Sequence, residues 1–459
     1  MTLVAAKCTI CGTLVEVDDR KKAAICPGCK RAYIVEEAIK GYKRSCIEIP
    51  QGTEKITADE YRGCKEIEAI IMPDTVTTIE KGAFAGCINL KTVRLSTKLT
   101  EIEEKVFYGC SELERVAIPV SVKKIGKSAF AECCSLIEVR ISNGLKEIGD
   151  GAFAKCESLE MIKLPNSVEE IGVGAFTQCV ALKWAWLPWG LKTIKCLSFA
   201  GCRQLSVLHV PNEVVEIEDA AFKDCSSLPK INLPKTLVRI GNSAFHGCES
   251  LENVEIPESV TEIEESAFAN CRSLRKAVIC GNLKEIKKCT FEGCSSLTEI
   301  KVQEGLVTIG AAAFENCIKL FKFILPMSLV EIEERAFSGC TNLSSMILPE
   351  KVSKIGAFAF GNCSRLAILV SANVEVEVTS FVGCKKVVFS VIEDFDKSEL
   401  FLLQLGDGQK ILHKFWGIGD VLSVDKGLVQ IDFKGVGGVQ LLSTRWVMEN
   451  CKKLVLTQQ

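Results

Sequence analysis

The sequence is poor in the residues on which catalysis most often depends. Its 459 residues include only three histidines, His209, His246 and His413, and none stands in a nucleophile or metal-binding pattern. It has no phosphate-cradling Walker loop, no GxSxG elbow and no GxGxxG after a strand. No enzyme is expected. Charge of one sign is also missing: 56 basic and 58 acidic residues are interleaved, for a net charge of −2. No basic block or acidic tail therefore draws the chain to nucleic acid or to an anionic membrane. No window approaches 18 apolar residues without charges, so no spanning helix is expected. Met1–Gly12 lacks a charged segment followed by a long apolar run, so no signal peptide is expected. These absences predict a soluble, cytoplasmic protein with no membrane partner. The many Glu-Glu and Glu-Lys pairs fall at variable positions and read as solvated surface.

What the chain has in excess is cysteine, 25 in all, and most of it is periodic. Phenylalanine recurs every 23 residues from Phe84 to Phe360. Tyr61 holds the same register one unit earlier, and Phe381 closes the series after a step of 21. Three residues after each aromatic stands a cysteine, from Cys64 to Cys384. Written out, the unit is Leu-x-x-Ile-x-Leu-Pro-x-x-Val-x-x-Ile-Gly-x-x-Ala-Phe-x-x-Cys, clearest in Leu159–Cys179. The Ile-x-Leu part alternates with period 2 and reads as a short strand. Ten of the twelve prolines stand just after it, among them Pro165, Pro188 and Pro211, where they stop the strand. A second apolar pair, such as Val168 and Ile171, covers the other wall, and the Ala-Phe turn closes the coil with its ring inside. Neither wall buries its apolar face alone, so the core exists only between stacked coils.

A fixed period of this length is the mark of a leucine-rich-repeat solenoid, and these units resemble the BspA-type leucine-rich repeats of bacterial and protozoan proteins. The resemblance covers about 340 residues. It implies an α/β-to-mainly-β solenoid of about 15 coils, with parallel strands stacked into a curved or twisted right-handed array. At about 4.8 Å per strand its length is on the order of 70 Å. Many relatives of this type are secreted surface adhesins, which sits poorly with the lack of an export signal. The cysteine column reads as a small buried side chain turning the corner behind each Phe. Disulfides along it are not expected in a reducing compartment.

Cys8-x-x-Cys11 and Cys26-Pro27-Gly28-Cys29 are separated by 14 residues. Two such turns supply four inward thiolates, a soft tetrahedral set that suits zinc. Leu14–Val17 and Ala23–Ile25 flank the polar turn 18–22 as a hairpin would. Residues 5–35 resemble a zinc ribbon, with Cys8, Cys11, Cys26 and Cys29 as ligands of a structural Zn2+. A redox pair is the lesser reading, because two pairs at this spacing count against it. Zinc ribbons often contact nucleic acid or polymerase subunits.

Beyond Cys384 the period is lost, and residues 406–442 show four short alternating runs split by glycine-rich turns, the grammar of a small antiparallel barrel. His413-Lys414-Phe415-Trp416-Gly417-Ile418-Gly419-Asp420-Val421 resembles the His-x-x-Phe-Gly-x-Gly-x-Val signature of SH3/Tudor-like modules. Such modules end some bacterial DNA helicases and there contact RNA polymerase; Trp416 stands beside the usual Phe position, a departure. Val387–Phe389 is expected to add a last capping strand. The expected organisation is a zinc ribbon over 1–40, the solenoid over 45–390, a linker or cap over 391–404 and a barrel over 405–459.

Function in a solenoid lies on its exposed strand face. The outward positions, 13 and 15 residues before each Phe, place Trp184 and Trp186 on one strand, with Trp189 just past Pro188. Met161, Lys163, Val207 and His209 lie on the flanking strands, and Arg94, Arg115 and Arg140 lie upstream. Exposed tryptophans are what binding hot spots are made of; their alternatives are a self-association contact or cover by the array's own twist. The expected protein-partner site is therefore Trp184, Trp186, Trp189, Met161, Lys163, Val207, His209 and Arg140. Three roles stay open: a bacterial intracellular interaction scaffold, a transcription-associated factor whose ribbon and barrel contact RNA polymerase or nucleic acid, and a surface adhesin. The net charge lends nucleic acid no support.

Overall fold

The computed structural model describes residues 3–7, 14–18, 20–27, 30–371, 374–384, 386–390, 410–413, 417–425, 428–433 and 438–443. They fall into two compact units. One holds Met1–Leu191 with Leu197–Val207, the other Lys192–Cys196 with Leu208–Gln459.

The first unit opens with β1 (Leu3–Lys7) antiparallel to β2 (Leu14–Asp18), and β3 (Ala23–Ile25) antiparallel to β4 (Ala32–Ile34). This corrects the expected hairpin, because β2 and β3 lie in separate two-stranded sheets. The polar turn closes on itself. Arg20 Nε and an Arg20 terminal nitrogen donate to the two Asp18 carboxylate oxygens at 3.0 and 3.1 Å, and the Lys21 amide donates to the Asp18 carbonyl at 3.0 Å. The apolar residues of both hairpins meet in one small core of Ala6, Val17, Cys26 and Tyr33. Helix α1 (Val35–Ser45) adds Val35 and Ala38 to that core, and Glu36 and Glu37 suit the positive end of its dipole. It packs on β1 and runs directly into β5 (Cys46–Glu48), the first strand of the array.

From β5 onward the coils of the first unit carry parallel strands on two walls. β5, Ala69–Ile71, Thr92–Arg94, Arg115–Ile118 and Glu138–Ile141 form one sheet. Two-residue strands such as Glu147–Ile148 and Glu170–Ile171 pair in register on the other wall. Between the walls the rings stack nearly parallel from Tyr61 to Phe199, with successive centroids 5.1 to 5.5 Å apart. Every Phe of this run is fully buried. Each coil makes two left-handed bends around its ring, two residues before and two after. Gly151 (φ 57°) and Lys155 (φ 59°) flank Phe153 in this way.

The thiol column has a defined role. In the first unit Cys110, Cys133, Cys156, Cys179 and Cys202 each donate S–H to the carbonyl of the Phe 26 residues earlier, as Cys156 does to Phe130 at 3.2 Å and Cys179 to Phe153 at 3.2 Å. The Phe130 carbonyl also accepts the Cys133 amide of its own coil at 3.3 Å. The cysteine thus hydrogen-bonds across a coil-to-coil joint, which requires more than a small side chain.

The second unit repeats this plan. Its rings stack from Phe222 to Phe381, and its outer ladder runs through Asn253–Ile256, Lys276–Ile279, Glu299–Lys301 and Lys322–Phe323. A further sheet joins Ser345–Ile347, Ala367–Ser371 and Lys386–Ser390, so a strand over Val387–Phe389 is present and pairs with its neighbour. The fifteen aromatics from Tyr61 to Phe381 are separated by fourteen steps, about 14 turns against the 15 expected. Lys410–His413, Gly417–Asp425, Leu428–Phe433 and Gly438–Ser443 form a four-stranded antiparallel sheet in sequential order. Its last strand lies against Lys386–Ser390. No helix among the described residues is long and apolar enough to cross a membrane.

Candidate functional site

The outward residues of the first unit are set by strand alternation. Ile162 and Ala185 point inward and are buried, so Met161, Lys163, Trp184 and Trp186 point the other way. Parallel register sets Met161 beside Trp184 and Lys163 beside Trp186. Pro188 ends the strand, and the next residue, Trp189, is 72% exposed, its amide held by Asn166 Oδ1 at 3.3 Å. Trp186 is 40% and Met161 44% exposed, and Val207 is exposed too. Trp184 is half-buried. Lys183 Nζ stands over its ring at 5.9 Å, within cation–π range, while bonding Glu160 at 3.2 Å. Arg140 is exposed and donates from Nε to Glu138 at 2.7 Å. His209 is exposed and belongs to the second unit.

A second apolar cluster was not among the expected site residues. In the second unit Phe321, Ile324, Met327 and Ile347 are all more than half exposed. Ile324 and Met327 occupy the repeat positions of Trp186 and Trp189, 138 residues later, or six periods of 23. The outward register marks Ile324 and Ile347 directly, whereas Phe321 lies off the two outward columns.

Chemistry is sparse. Among the described residues no group of three His, Cys, Asp or Glu side chains is arranged to hold a metal ion. An open cleft of about 660 Å³ in the second unit is lined by Asn232, Lys235, Glu255, Glu258, Ser259 and Cys280. It lies where the outer ladder thins to a single bridge, Lys230 to Asn253. Burial, and then Glu255 and Glu258, push the Cys280 thiol above its ordinary range, so it is no activated nucleophile.

Of the four proposed zinc ligands, Cys8, Cys11 and Cys29 lie outside the described residues, as do Lys414, Phe415 and Trp416 of the C-terminal motif. Cys26 is fully buried; its amide donates to the Arg31 carbonyl and its carbonyl accepts the Lys30 amide, both at 2.9 Å. Lys30 adopts a left-handed φ of 61°. β1 pairs antiparallel with β2 and β3 with β4, so in the sequence each CxxC falls between two paired strands. Four thiolates are the donor set that suits zinc.

The model of the family described as BspA type leucine rich repeat region (6 copies) matches residues 54–183, 171–296 and 263–388. A leucine-rich repeat protein from Bacteroides ovatus is similar at 25% identity and a TM-score of 0.58, over 85% of this chain and 98% of that one. One from Eubacterium ventriosum matches at 19% identity and a TM-score of 0.42, over 77% and 86%. A leucine rich cell surface protein from Faecalibacterium prausnitzii matches at 21% and 0.38, over 76% and 88%. No curated protein matches the chain.

Proposed function

This chain belongs to the BspA type leucine-rich-repeat family, and from that premise we propose that it is a non-catalytic interaction scaffold that holds a protein partner on the strand face of its first unit. The observation that carries the reading is the cluster of exposed Met161, Trp186, Trp189 and Val207 around the half-buried Trp184. Large apolar side chains left in solvent on neighbouring strands cost solubility and are the usual anchors of interfaces. Lys163 and Arg140 supply the charged rim, while His209 joins the site only by its repeat position. A cytoplasmic location is part of this proposal. Its support is the column of thiols held as hydrogen-bond donors, a state suited to a reducing compartment. Cys8, Cys11, Cys26 and Cys29 are assigned a structural Zn2+, which in so small a module supplies folding energy.

The test is a nuclease-treated pull-down from native lysate with wild type and Trp184→Ala/Trp186→Ala. Loss of a discrete partner in the variant supports the scaffold; an unchanged set of partners refutes it. A second reading makes the chain a transcription-associated factor whose ribbon and C-terminal SH3/Tudor-like module contact RNA polymerase. It draws on the antiparallel pairing of strands between residues 410 and 443 and on the paired CxxC motifs of the sequence, and retention of polymerase subunits by both forms would favour it. The surface-adhesin role requires the protein to be found outside the cell.

A further inference from the structure

The strand face of the first unit is charged in a way the whole chain is not. Four successive coils present Arg94, Arg115, Arg140 and Lys163 outward, all exposed. Against them stands one outward carboxylate, Glu138, shared between Arg140 at 2.7 Å and Arg115 at 3.9 Å. Among the described residues Arg94 and Lys163 hold no ion pair. The row then meets the apolar cluster, since Lys163 lies beside Trp186 and Met161 beside Trp184. Along the face, positive charge therefore gives way to aromatic surface.

The chain also encodes the complementary pattern. Residues 392–405 read Ile-Glu-Asp-Phe-Asp-Lys-Ser-Glu-Leu-Phe-Leu-Leu-Gln-Leu, with four carboxylates, Glu393, Asp394, Asp396 and Glu399, followed by Leu400, Phe401, Leu402, Leu403 and Leu405. This segment lies outside the described residues, between strands Lys386–Ser390 and Lys410–His413. We propose that segment 392–405 of a second copy of this chain docks on the strand face of the first unit. Its acidic half lies over Arg94–Lys163, and its apolar half over Met161, Trp184, Trp186 and Trp189. The proposal rests on the reading of this face as a protein-binding surface and names its occupant.

The dimensions agree. From the coil of Arg94 to that of Trp184 is four steps, about 19 Å at roughly 4.8 Å each. Fourteen residues span about 21 Å as a helix and about 46 Å extended, so the segment covers the run in either form. A second copy is the natural source, because the segment is fastened at both ends to strands of the second unit and docking between molecules leaves those attachments intact. Phosphodiester strands fit less well: Glu138 stands within the cationic row, and Glu114 and Glu160 flank it one position before the outward pairs. Because the two patches differ, the contact is head-to-tail and self-association grows with concentration. Exposed ion pairs give it salt sensitivity, and the tryptophans give it most of its strength.

The experiment uses the full chain in sedimentation velocity over a concentration series. It is paired with anisotropy of a labelled peptide of residues 390–407, a scrambled peptide and poly-uridylate. Wild type should self-associate and bind the peptide but not its scramble. Trp184→Ala/Trp186→Ala, Arg94→Glu/Arg140→Glu and Phe401→Asp/Leu403→Asp should each weaken association at least about tenfold. Glu393→Lys/Asp396→Lys should restore association when mixed with Arg94→Glu/Arg140→Glu. A chain that stays monomeric and ignores the peptide at about 1 mM overturns the proposal; so does equal binding of the scramble, or preference for poly-uridylate. If it fails while the tryptophan variant still loses a lysate partner, the scaffold reading survives. If the tryptophan variant changes nothing in either assay, both fall.

Discussion

Replacing Cys156 by alanine isolates what the thiol column contributes. The substitution removes a buried sulfur about the size of one methylene, worth about 0.8 kcal/mol. It also removes the hydrogen bond to the Phe130 carbonyl at 3.2 Å. That carbonyl is not orphaned, because the Cys133 amide still reaches it at 3.3 Å. The lost bond should therefore cost only its net value, about 0.5–1 kcal/mol for a weak donor. Together these give about 1.5 kcal/mol, roughly a tenfold rise in local opening. Cys156→Ser keeps a donor in place and should fall between alanine and wild type. A long array does not unfold as one two-state body, and its units answer mainly to their neighbours. The suitable assay is therefore native hydrogen exchange. Amides of Phe130 and Phe153, bonded at 2.8 Å to Ala152 and Ala175, should exchange about ten times faster. Those near Phe291 and Phe314 should not change. Alanine indistinguishable from wild type, or serine worse than alanine, would refute the hydrogen-bonding role.

Three further outcomes follow from the geometry. A Cβ on Gly172 would lie 2.5 Å from the Asp150 nitrogen and the Gly149 carbonyl carbon, whereas one on Gly190 meets nothing within 4 Å. Gly172→Ala should cost about 1–3 kcal/mol or more in thermal melts and Gly190→Ala under about 0.5; equal effects would show that the coils part freely. Burial holds the Glu315 carboxyl above its ordinary value despite Arg335 nearby. A raised carboxylate pKa favours the fold below the unfolded value near 4.5 and loses that advantage as pH climbs past the folded one. Glu315→Gln should thus gain stability at pH 7 relative to wild type, with the gain shrinking toward pH 4, and a pH-independent difference would contradict it. Purified protein should carry about one zinc per chain by elemental analysis. Chelation should raise exchange in residues 3–45 while leaving Phe130–Phe199 protected; an unchanged N-terminal module would remove the metal from the account.

Period and core were legible because both are written in single residues. Phe every 23 positions and Cys three later are one-letter signals, and the stacked rings follow from them. The strands before Pro165 and Pro188 and the four-stranded C-terminal sheet were legible from alternation. The polar turn 18–22 misled, because a turn between two short apolar runs has the same look whether the runs pair or diverge. Here Arg20 folds back onto Asp18, and each run pairs with a strand on its far side instead. The left-handed bends around each Phe were hidden because Lys105, Glu132, Lys155 and Gln178 occupy them as readily as glycine does. Exposure was only half legible: register says which way Trp184 points, but Lys183, its own sequence neighbour, helps cover it.

The joint between coils has a consequence for how such a chain changes over generations. Each coil gives its Phe amide to the coil after it and its thiol to the Phe carbonyl of the coil before, as Phe153 does to Ala175 and Cys156 to Phe130. Both surfaces of the joint recur almost unaltered along each unit. A genetic exchange that adds or removes one whole 23-residue coil therefore creates no new junction, whereas one out of phase by a few residues strands a ring without its neighbours. Copy number is then free to drift while the coil itself is held. The outward residues ride on that drift, which brings different side chains side by side without touching the core.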